Sequence, residues 1–320
     1  MDADRENRWV HARGDAPVDR WRDYHRPTLR DRLRHAALDA CCAVETLTGS
    51  ADRDLRLPGV QFLLLHHLFD DEVESFSRLL RRLAQTHRFL GYGEAIESLR
   101  AGRVDAPAVT FSFDDGRASC AAAARILAEH GARACFFVCP GIVGETRPAR
   151  LRSFCHERLH YPVTPFLDWD GLESLRSMGH EVGNHTQGHV NLARCDAAEH
   201  EEEIAGAAET LRRRLGICEH FAWPYGGIAN ISPEAVAAIW RSGHRSIASA
   251  LRGRHAGALA PRACLRRDNV VAAWPVRHTL HFIAANARRQ RSAGCRHDGQ
   301  ASGWPEGWDE IIEGRCASPS

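Results

Sequence analysis

The sequence predicts an α/β fold in which parallel strands alternate with helices and close toward a (β/α) barrel. Three observations carry this. From about Pro58 to about Arg288, apolar strand-like runs alternate with amphipathic helical stretches, and such alternation requires helical crossovers between parallel strands. Roughly seven such units fit into that span, which is near the ~250 residues typical of a (β/α) barrel. Finally, Val109-Thr110-Phe111-Ser112-Phe113 reads as a buried strand and ends abruptly in Asp114-Asp115-Gly116, with an Ala-rich helix pattern directly behind it. α/β folds keep their chemistry at the carboxyl ends of their strands, where such polar groups are delivered.

The elements follow in order. Residues 1–55 are Arg- and Asp-rich and form an N-terminal extension. Within it Thr28 to Thr46 predicts a helix that packs along Leu29, Leu33, Ala36, Ala37, Ala40 and Val44. The barrel domain spans 56–288. Val60 to Leu65 is its first buried strand and ends in His66-His67. Glu72 to Gln85 and Gly93 to Arg100 are helices, and 109–113 is the strand already described. The helix from Ala118 to Glu129 leads to a strand at Ala134 to Val138. Pro140 to Pro165 is long, Arg-rich and aperiodic, so it reads as an excursion over the mouth of the fold. Asp168 caps a helix ending at Ser177, Glu181 to Asn184 is a strand, and Ala197 to Leu215 is a helix with an acidic first turn. His220 to Trp223 is a short strand, and Ser232-Pro233 opens the next helix with a cap and Pro at its first position. Arg245 to Ala248 and Leu259 to Leu265 are the last strands, Trp274 to Arg288 is the closing helix, and 289–320 reads as a loose tail.

The totals exclude several function classes. A formal charge of +1 over 320 residues argues against a nucleic-acid binder. All 42 basic residues are Arg, for which codon bias is sufficient explanation. The 11 cysteines are odd in number and include no CxxC pair, so neither a disulfide framework nor a thiolate zinc site is expected. Met1 to Arg34 is charged throughout and lacks the apolar core of a signal peptide. No run approaches membrane-spanning length, so the expectation is a cytoplasmic protein with no transmembrane segment.

The second chemical motif is His185-Thr186-Gln187-Gly188-His189, directly after a strand end. Its imidazoles therefore belong at the same sheet edge as Asp114 and Asp115. Two histidines and one carboxylate make a three-ligand site with positions left open for water and substrate. Two adjacent carboxylates at a strand end diverge, so that one can bind an ion while the other stays free as a base.

Phe113-Asp114-Asp115-Gly116, His185-Thr186-x-x-His189 and Trp223-Pro224-Tyr225-Gly226, in that order and spacing, resemble the polysaccharide deacetylase family, also called the NodB-homology domain or carbohydrate esterase family 4. The resemblance covers about Val60 to Leu265. It implies a distorted (β/α) barrel with about seven parallel strands, a divalent metal ion, usually zinc, and a carbohydrate substrate. It implies Asp114 as general base, Asp115, His185 and His189 as metal ligands, and the backbone N–H of Tyr225 as oxyanion donor. The chemistry is hydrolysis of an acetamide, for which a divalent ion supplies Lewis acidity and a lowered water pKa.

The sequence also departs from the family pattern. Ala222 stands where an Arg commonly contacts the base, as in the branch with Phe-Ala-Tyr-Pro-Tyr-Gly in this place, and Trp223 replaces that branch's first Tyr. Arg262 resembles an Arg that the branch carries near the end of the barrel and is the candidate to orient Asp114, a surface Arg being the other reading. For the general acid, Leu63-Leu64-Leu65-His66-His67 resembles the early strand end that supplies a histidine in this branch, which nominates His66. Leu280-His281 is superficially like the family's late motif but falls on a predicted helix. Asp70 and Asp71 with His67 offer a different metal site that nothing in the sequence orders. The function implied is removal of N-acetyl groups from an N-acetylated sugar, with release of acetate. An amidohydrolase of the same fold acting on a non-sugar amide and an inactive carbohydrate-binding relative are the alternatives.

Overall fold

The computed structural model describes residues 20–292 and 303–312, together with Val18. Its centre is one sheet of nine strands: β1 (Gly59–Leu65), β2 (Arg88–Phe89), β3 (Pro107–Phe113), β4 (Ala134–Val138), β5 (Glu181–Asn184), β6 (His220–Ala222), β7 (Ser246–Ala248), β8 (Cys264–Leu265) and β9 (Asp268–Asn269). The order is β8-β7-β6-β5-β4-β3-β1-β9, with β2 added beside β3, and every pairing is parallel. The outermost strands β8 and β9 are separated in the chain only by Arg266 and Arg267. The two edges of the curled sheet therefore meet at that corner, giving the distorted barrel form.

Side chains alternate across the sheet, as the pleat requires. Phe62, Cys135, Phe137, Ala222, Ala248 and Leu265 come from five strands and cluster together inside the curl. Leu63, Leu65, Phe111, Phe113 and Phe136 face the other way and pack on helical residues such as Phe76, Leu80 and Leu127. β1 is buried over all seven residues, which is why it reads as a continuous apolar run.

Most predicted strands and helices form with small shifts in their ends, but the strand expected over Leu259 to Leu265 is confined to Cys264–Leu265, the helix from Ala197 to Leu215 is interrupted by a π segment at Glu201–Gly206, and two strands were missed. β2 and β9 are two residues long, and no helix separates β9 from β8, so neither carries a periodic signal. The Pro140–Pro165 excursion is more regular than its sequence suggests, with a helix at Pro148–Ser153 and a π turn at Phe154–Arg158. It packs its own small core of Ile142, Phe154, Cys155 and Phe166 against Cys139. The nine described cysteines are all free.

Both flanking segments correct the reading from sequence. The N-terminal helix runs Leu29–Thr48 and starts at Thr28, which forms a capping box with Asp31. Its predicted packing side is outward: Leu29 is 73% and Leu33 63% exposed, while Cys42 and Glu45 are buried. The face turned to the barrel is ionic, because Asp39 and Glu45 meet Arg277 and Arg288 of the closing helix, Val276–Ser292. The C-terminal stretch is not uniformly loose. Trp304 is buried, lies 5.7 Å from Trp223, and precedes a helix at Trp308–Ile312. Residues 1–17, 293–302 and 313–320, on which the rest of those expectations fall, lie outside the described residues.

Candidate active site

The parallel register delivers the site. Leu65 pairs with Phe113, so the next residues, His66 and Asp114, leave the sheet side by side, and Asp114 N–H donates to Leu65 O at 3.0 Å. Val138 pairs with Asn184, and His185 N–H donates to Val138 O at 3.0 Å, which sets the histidine loop at the same edge. That loop is held from below by the π turn Glu201–Gly206. Gln187 N–H donates to Glu203 O at 2.9 Å, Gly188 N–H to Glu203 Oε2 at 2.7 Å, and Asn184 Nδ2 to Ile204 O at 3.0 Å. A π turn within a helix is a recurrent device at functional sites. Sequence periodicity reads straight through it.

Backbone strain collects in the three motifs. Six described non-glycine residues have φ in the left-handed region, and four are Asp115 (76°), Thr186 (66°), His189 (55°) and Tyr225 (63°). Such conformations cost of order 1–3 kcal/mol each and persist where the surroundings over-determine them. Gly226 is required beside them: its φ is 62°, and a Cβ there would lie 2.3 Å from Ala250 Cβ.

Asp115, His185 and His189 converge, all buried. Asp115 Oδ1 lies 3.6 Å from His185 Nε2 and 3.4 Å from His189 Nε2. Donors sharing one tetrahedral ion at ~2.0–2.1 Å sit about 3.3 Å apart, so the spacing fits one cation better than direct hydrogen bonds. His185 Nδ1 donates to Ala222 O at 2.7 Å, which leaves Nε2 as the free lone pair facing Asp115. His189 Nδ1 is buried with no hydrogen-bond partner among the described residues. The donor set fits a divalent ion of the zinc type.

Arg117 was missed by sequence reasoning, although it directly follows Asp115-Gly116. Its Nη2 and Nε donate to Asp115 Oδ2 at 2.8 and 3.2 Å, and its guanidinium lies 3.7 Å over the Tyr161 ring. One oxygen of Asp115 is thereby tied down and the other is aimed at the histidines. Burial alone raises the Asp115 pKa, but Arg117 and the neighbouring His185 and His189 imidazoles outweigh it and hold the carboxyl well below its usual range.

Asp114 points elsewhere. Both its oxygens are bonded at 2.8 Å by Arg267, whose Nη1 also donates to Ser112 Oγ at 3.1 Å and whose Nε donates to Ser249 O at 2.8 Å. Burial raises the Asp114 pKa, yet Arg267 and then His185 override it, so Asp114 remains ionised below the ordinary carboxylate range. This corrects the expectation for Arg262. Arg262 is exposed and donates to Ile312 O at 2.7 Å, tying down the C-terminal helix. The guanidinium beside Asp114 comes instead from the β8–β9 corner, five residues on, because that corner closes the barrel against β1.

His66 is half-buried beside the acidic pair. Burial pulls its pKa below the ordinary value, and Asp115 and Asp114 only partly oppose this. His67 turns away to Ser119 Oγ at 3.2 Å, and burial with Arg117 lowers it to about 3. Asp71 accepts from Trp21 N–H at 2.7 Å, so the Asp70–Asp71–His67 alternative does not assemble. His281 lies on the closing helix with Nδ1 2.9 Å from Glu45 Oε2. The Tyr225 ring stands 4.9 Å from that of His189, and its hydroxyl donates to Arg158 O at 2.8 Å. Trp223 Nε1 donates to Gly227 O at 2.9 Å and pins the turn.

The chain is similar in structure to IcaB from Ammonifex degensii, with a TM-score of 0.57 and 22% identity over 73% of this chain and 98% of that one. It is also similar to the Streptococcus pyogenes deacetylase PplD in complex with acetate (TM-score 0.55, 16% identity, 71% and 99% covered). A third is the de-N-acetylase from Aggregatibacter actinomycetemcomitans (TM-score 0.53, 16% identity, 70% and 99% covered). These likenesses establish the fold as α/β, a mostly parallel sheet curled into a partial barrel with helices. Residues 101–240 match the family model described as polysaccharide deacetylase. The chain carries a polysaccharide deacetylase domain and is a hydrolase of the deacetylase class. No described helix is long and apolar enough to cross a membrane.

Proposed function

We propose that the protein is a metal-dependent de-N-acetylase of an N-acetylated sugar within a polysaccharide, oligosaccharide or glycan precursor, releasing acetate and leaving a free amine. The observation that carries this reading is a pair of neighbouring carboxylates held in different tasks. Asp115 converges with His185 and His189 at ion-ligand spacing, while Asp114 is kept ionised and separate by Arg267. Zinc is the ion this nitrogen- and oxygen-donor set suits, with positions left open for substrate. When bound, it supplies Lewis acidity for the acetyl oxygen and a lowered pKa for water.

The chain's own groups do the rest. Asp114 accepts the proton of the attacking water, and its buried pairing with Arg267 holds its orientation. The Tyr225 N–H, in a turn fixed by Pro224, Gly226 and the Trp223 indole, donates to the developing oxyanion. His66 leaves the sheet beside Asp114 and delivers a proton to the departing amine. Burial lowers its pKa and the neighbouring Asp115 and Asp114 partly oppose this; the proton it passes to the amine is made good by the one Asp114 accepts from the attacking water. The acetate complex of the relative PplD agrees with acetate as product.

Incubation with chitooligosaccharides or poly-N-acetylglucosamine, with and without chelator, tests this. Acetate release that stops on chelation and returns with zinc is expected. Sugar binding without any release on any N-acetylated sugar sinks the reading. A second comparison tests the proton donor. His66→Ala is expected to lower kcat by ~10²–10⁴-fold, while His281→Ala leaves it unchanged. The reverse pattern moves the acid to the closing helix.

A further inference from the structure

Residues 303–312 lie outside the stretch 101–240 that matches the family model, and they dock on the Trp223-Pro224-Tyr225-Gly226 turn. The contact is ring to ring. Trp223 is fully buried, and the Trp304 indole lies 5.7 Å from it at 33°. Trp304 is buried in turn, and Trp308 stacks on it at 6.0 Å. Two hydrogen bonds fasten the segment. Trp304 Nε1 donates to Arg262 O at 2.9 Å, and Arg262 Nη1 donates to Ile312 O at 2.7 Å. Ile312 enters the same apolar cluster as Trp223, Phe221 and Ile231.

The turn that Trp223 opens is strained. Tyr225 holds a φ of 63° without being Gly, a state that costs of order 1–3 kcal/mol and lasts only while its surroundings impose it. Three hydrogen bonds close the turn around it. Gly226 N–H donates to Trp223 O at 3.2 Å, Ala250 N–H to Gly226 O at 2.9 Å, and Trp223 Nε1 to Gly227 O at 2.9 Å. The last bond depends on the angle of the Trp223 indole, and Trp304 is the aromatic wall against which that indole rests. Wall, pin and turn thus connect Trp304 to the Tyr225 N–H. Stabilisation of an oxyanion is steep in geometry, because the donor must lie about 2.7–3.1 Å from the oxygen. A displacement of ~1 Å can cost ~10²-fold in rate.

We propose that Trp304 is a positioning residue of the reaction: by holding the Trp223 indole it fixes the turn that presents the Tyr225 N–H to the developing oxyanion. This rests on the de-N-acetylase reading, in which that N–H is the donor. Trp304 acts only through Trp223.

Trp304→Ala and Trp304→Phe are compared with the parent in the full chain, loaded with zinc, below the melting temperature of each. Trp304→Ala is expected to lower kcat by ~10–10²-fold, less than the ~10²–10³-fold for removing an oxyanion donor outright. KM and zinc content are expected to stay at parent values. Trp304→Phe loses the bond to Arg262 O but keeps a ring against Trp223, and is expected to recover most of kcat. Hydrogen exchange read by mass spectrometry is expected to quicken in the peptide holding Trp223 to Gly227 in the alanine protein. It is expected to return toward the parent rate in the phenylalanine protein. Parent kcat in Trp304→Ala overturns the proposal, since it leaves Trp304 with a part in stability alone. Parent exchange at the turn overturns it too, as does zinc lost in step with kcat, which moves the effect to the metal ligands. If the alanine protein does not fold, Trp304→Leu, which keeps apolar bulk, takes its place with the same expectations. A parent that releases no acetate from any N-acetylated sugar sinks the functional reading instead. The exchange comparison needs no substrate and then still decides whether Trp304 holds the turn.

Discussion

Asp115→Ala, His185→Ala and His189→Ala are each expected to lose the bound ion and acetate release together, whereas Asp114→Asn keeps the ion and loses turnover. The contrast follows from where the two carboxylates point. Asp115 has one oxygen tied to Arg117 and the other 3.4 and 3.6 Å from the two imidazoles. Truncating any of the three donors leaves two, too few for a stable site with open positions. Asp114 contributes no donor to that set, because both its oxygens are taken by Arg267. The amide of Asn is nearly the same size but cannot accept a proton, so the expected loss in kcat is ~10²–10⁴-fold, the range for a general base. Metal content by mass spectrometry and acetate release on the same samples separate the cases. Full metal with normal turnover in Asp114→Asn removes Asp114 from the reaction. Full metal in His189→Ala removes that histidine from the ligand set.

The parts of the site legible in the sequence are those where several local signals coincide. Asp114-Asp115-Gly116 joins a buried strand, two charges that a core does not tolerate without purpose, and a glycine in a left-handed turn. The histidine pair follows a strand end in the same way, and the ends of β1 and β3 were readable from their apolar runs, that of β5 from the helix stop at Met178-Gly179 before it. Arg117 and Arg267 were not legible for a common reason. Each lies in a short irregular stretch; Arg117 bonds Asp115 only because the left-handed turn at Asp115 and Gly116 folds it back, and Arg267 acts through a contact across the fold. Arg267 sits in a corner between two strands of two residues, and nothing in the local pattern says that this corner abuts β1. With Arg so frequent in the chain, identity alone does not single out one guanidinium, and Arg262 stands nearer to the place where the resembled branch carries its Arg. The N-terminal helix failed differently. Its apolar periodicity is real and predicts a helix correctly, but periodicity says only that one side is apolar, not which side meets the barrel. The ionic partners on the closing helix, more than two hundred residues away, decide that.

Arg267→Met is expected to destabilise the fold by about 3–5 kcal/mol at neutral pH, and much of that loss is expected to return in Arg267→Met/Asp114→Asn. Arg267 is fully buried, bonds both oxygens of a buried carboxylate, and lies with its guanidinium 5.1 Å over the Phe137 ring. Met retains most of the stem and the contact with Phe137, so the chief loss is electrostatic: Asp114 is left charged in a site without its counter-ion. The pH dependence has a definite sign. In the parent, Asp114 is depressed below the ordinary carboxylate pKa, because Arg267 outweighs burial. Its contribution is therefore present above the unfolded value and is lost as pH falls through the folded one. Without Arg267, burial is the leading influence and pushes Asp114 upward, so the variant takes up a proton on folding at mildly acid pH. The stability gap between parent and variant narrows as the pH is lowered, and the acid limb of activity moves to higher pH. Urea unfolding of the four proteins of the cycle, at neutral and acid pH, measures both effects. Additive losses in the double variant with a gap that ignores pH would mean that Arg267 acts on packing at the barrel corner alone, and that Asp114 owes its ionised state to something else.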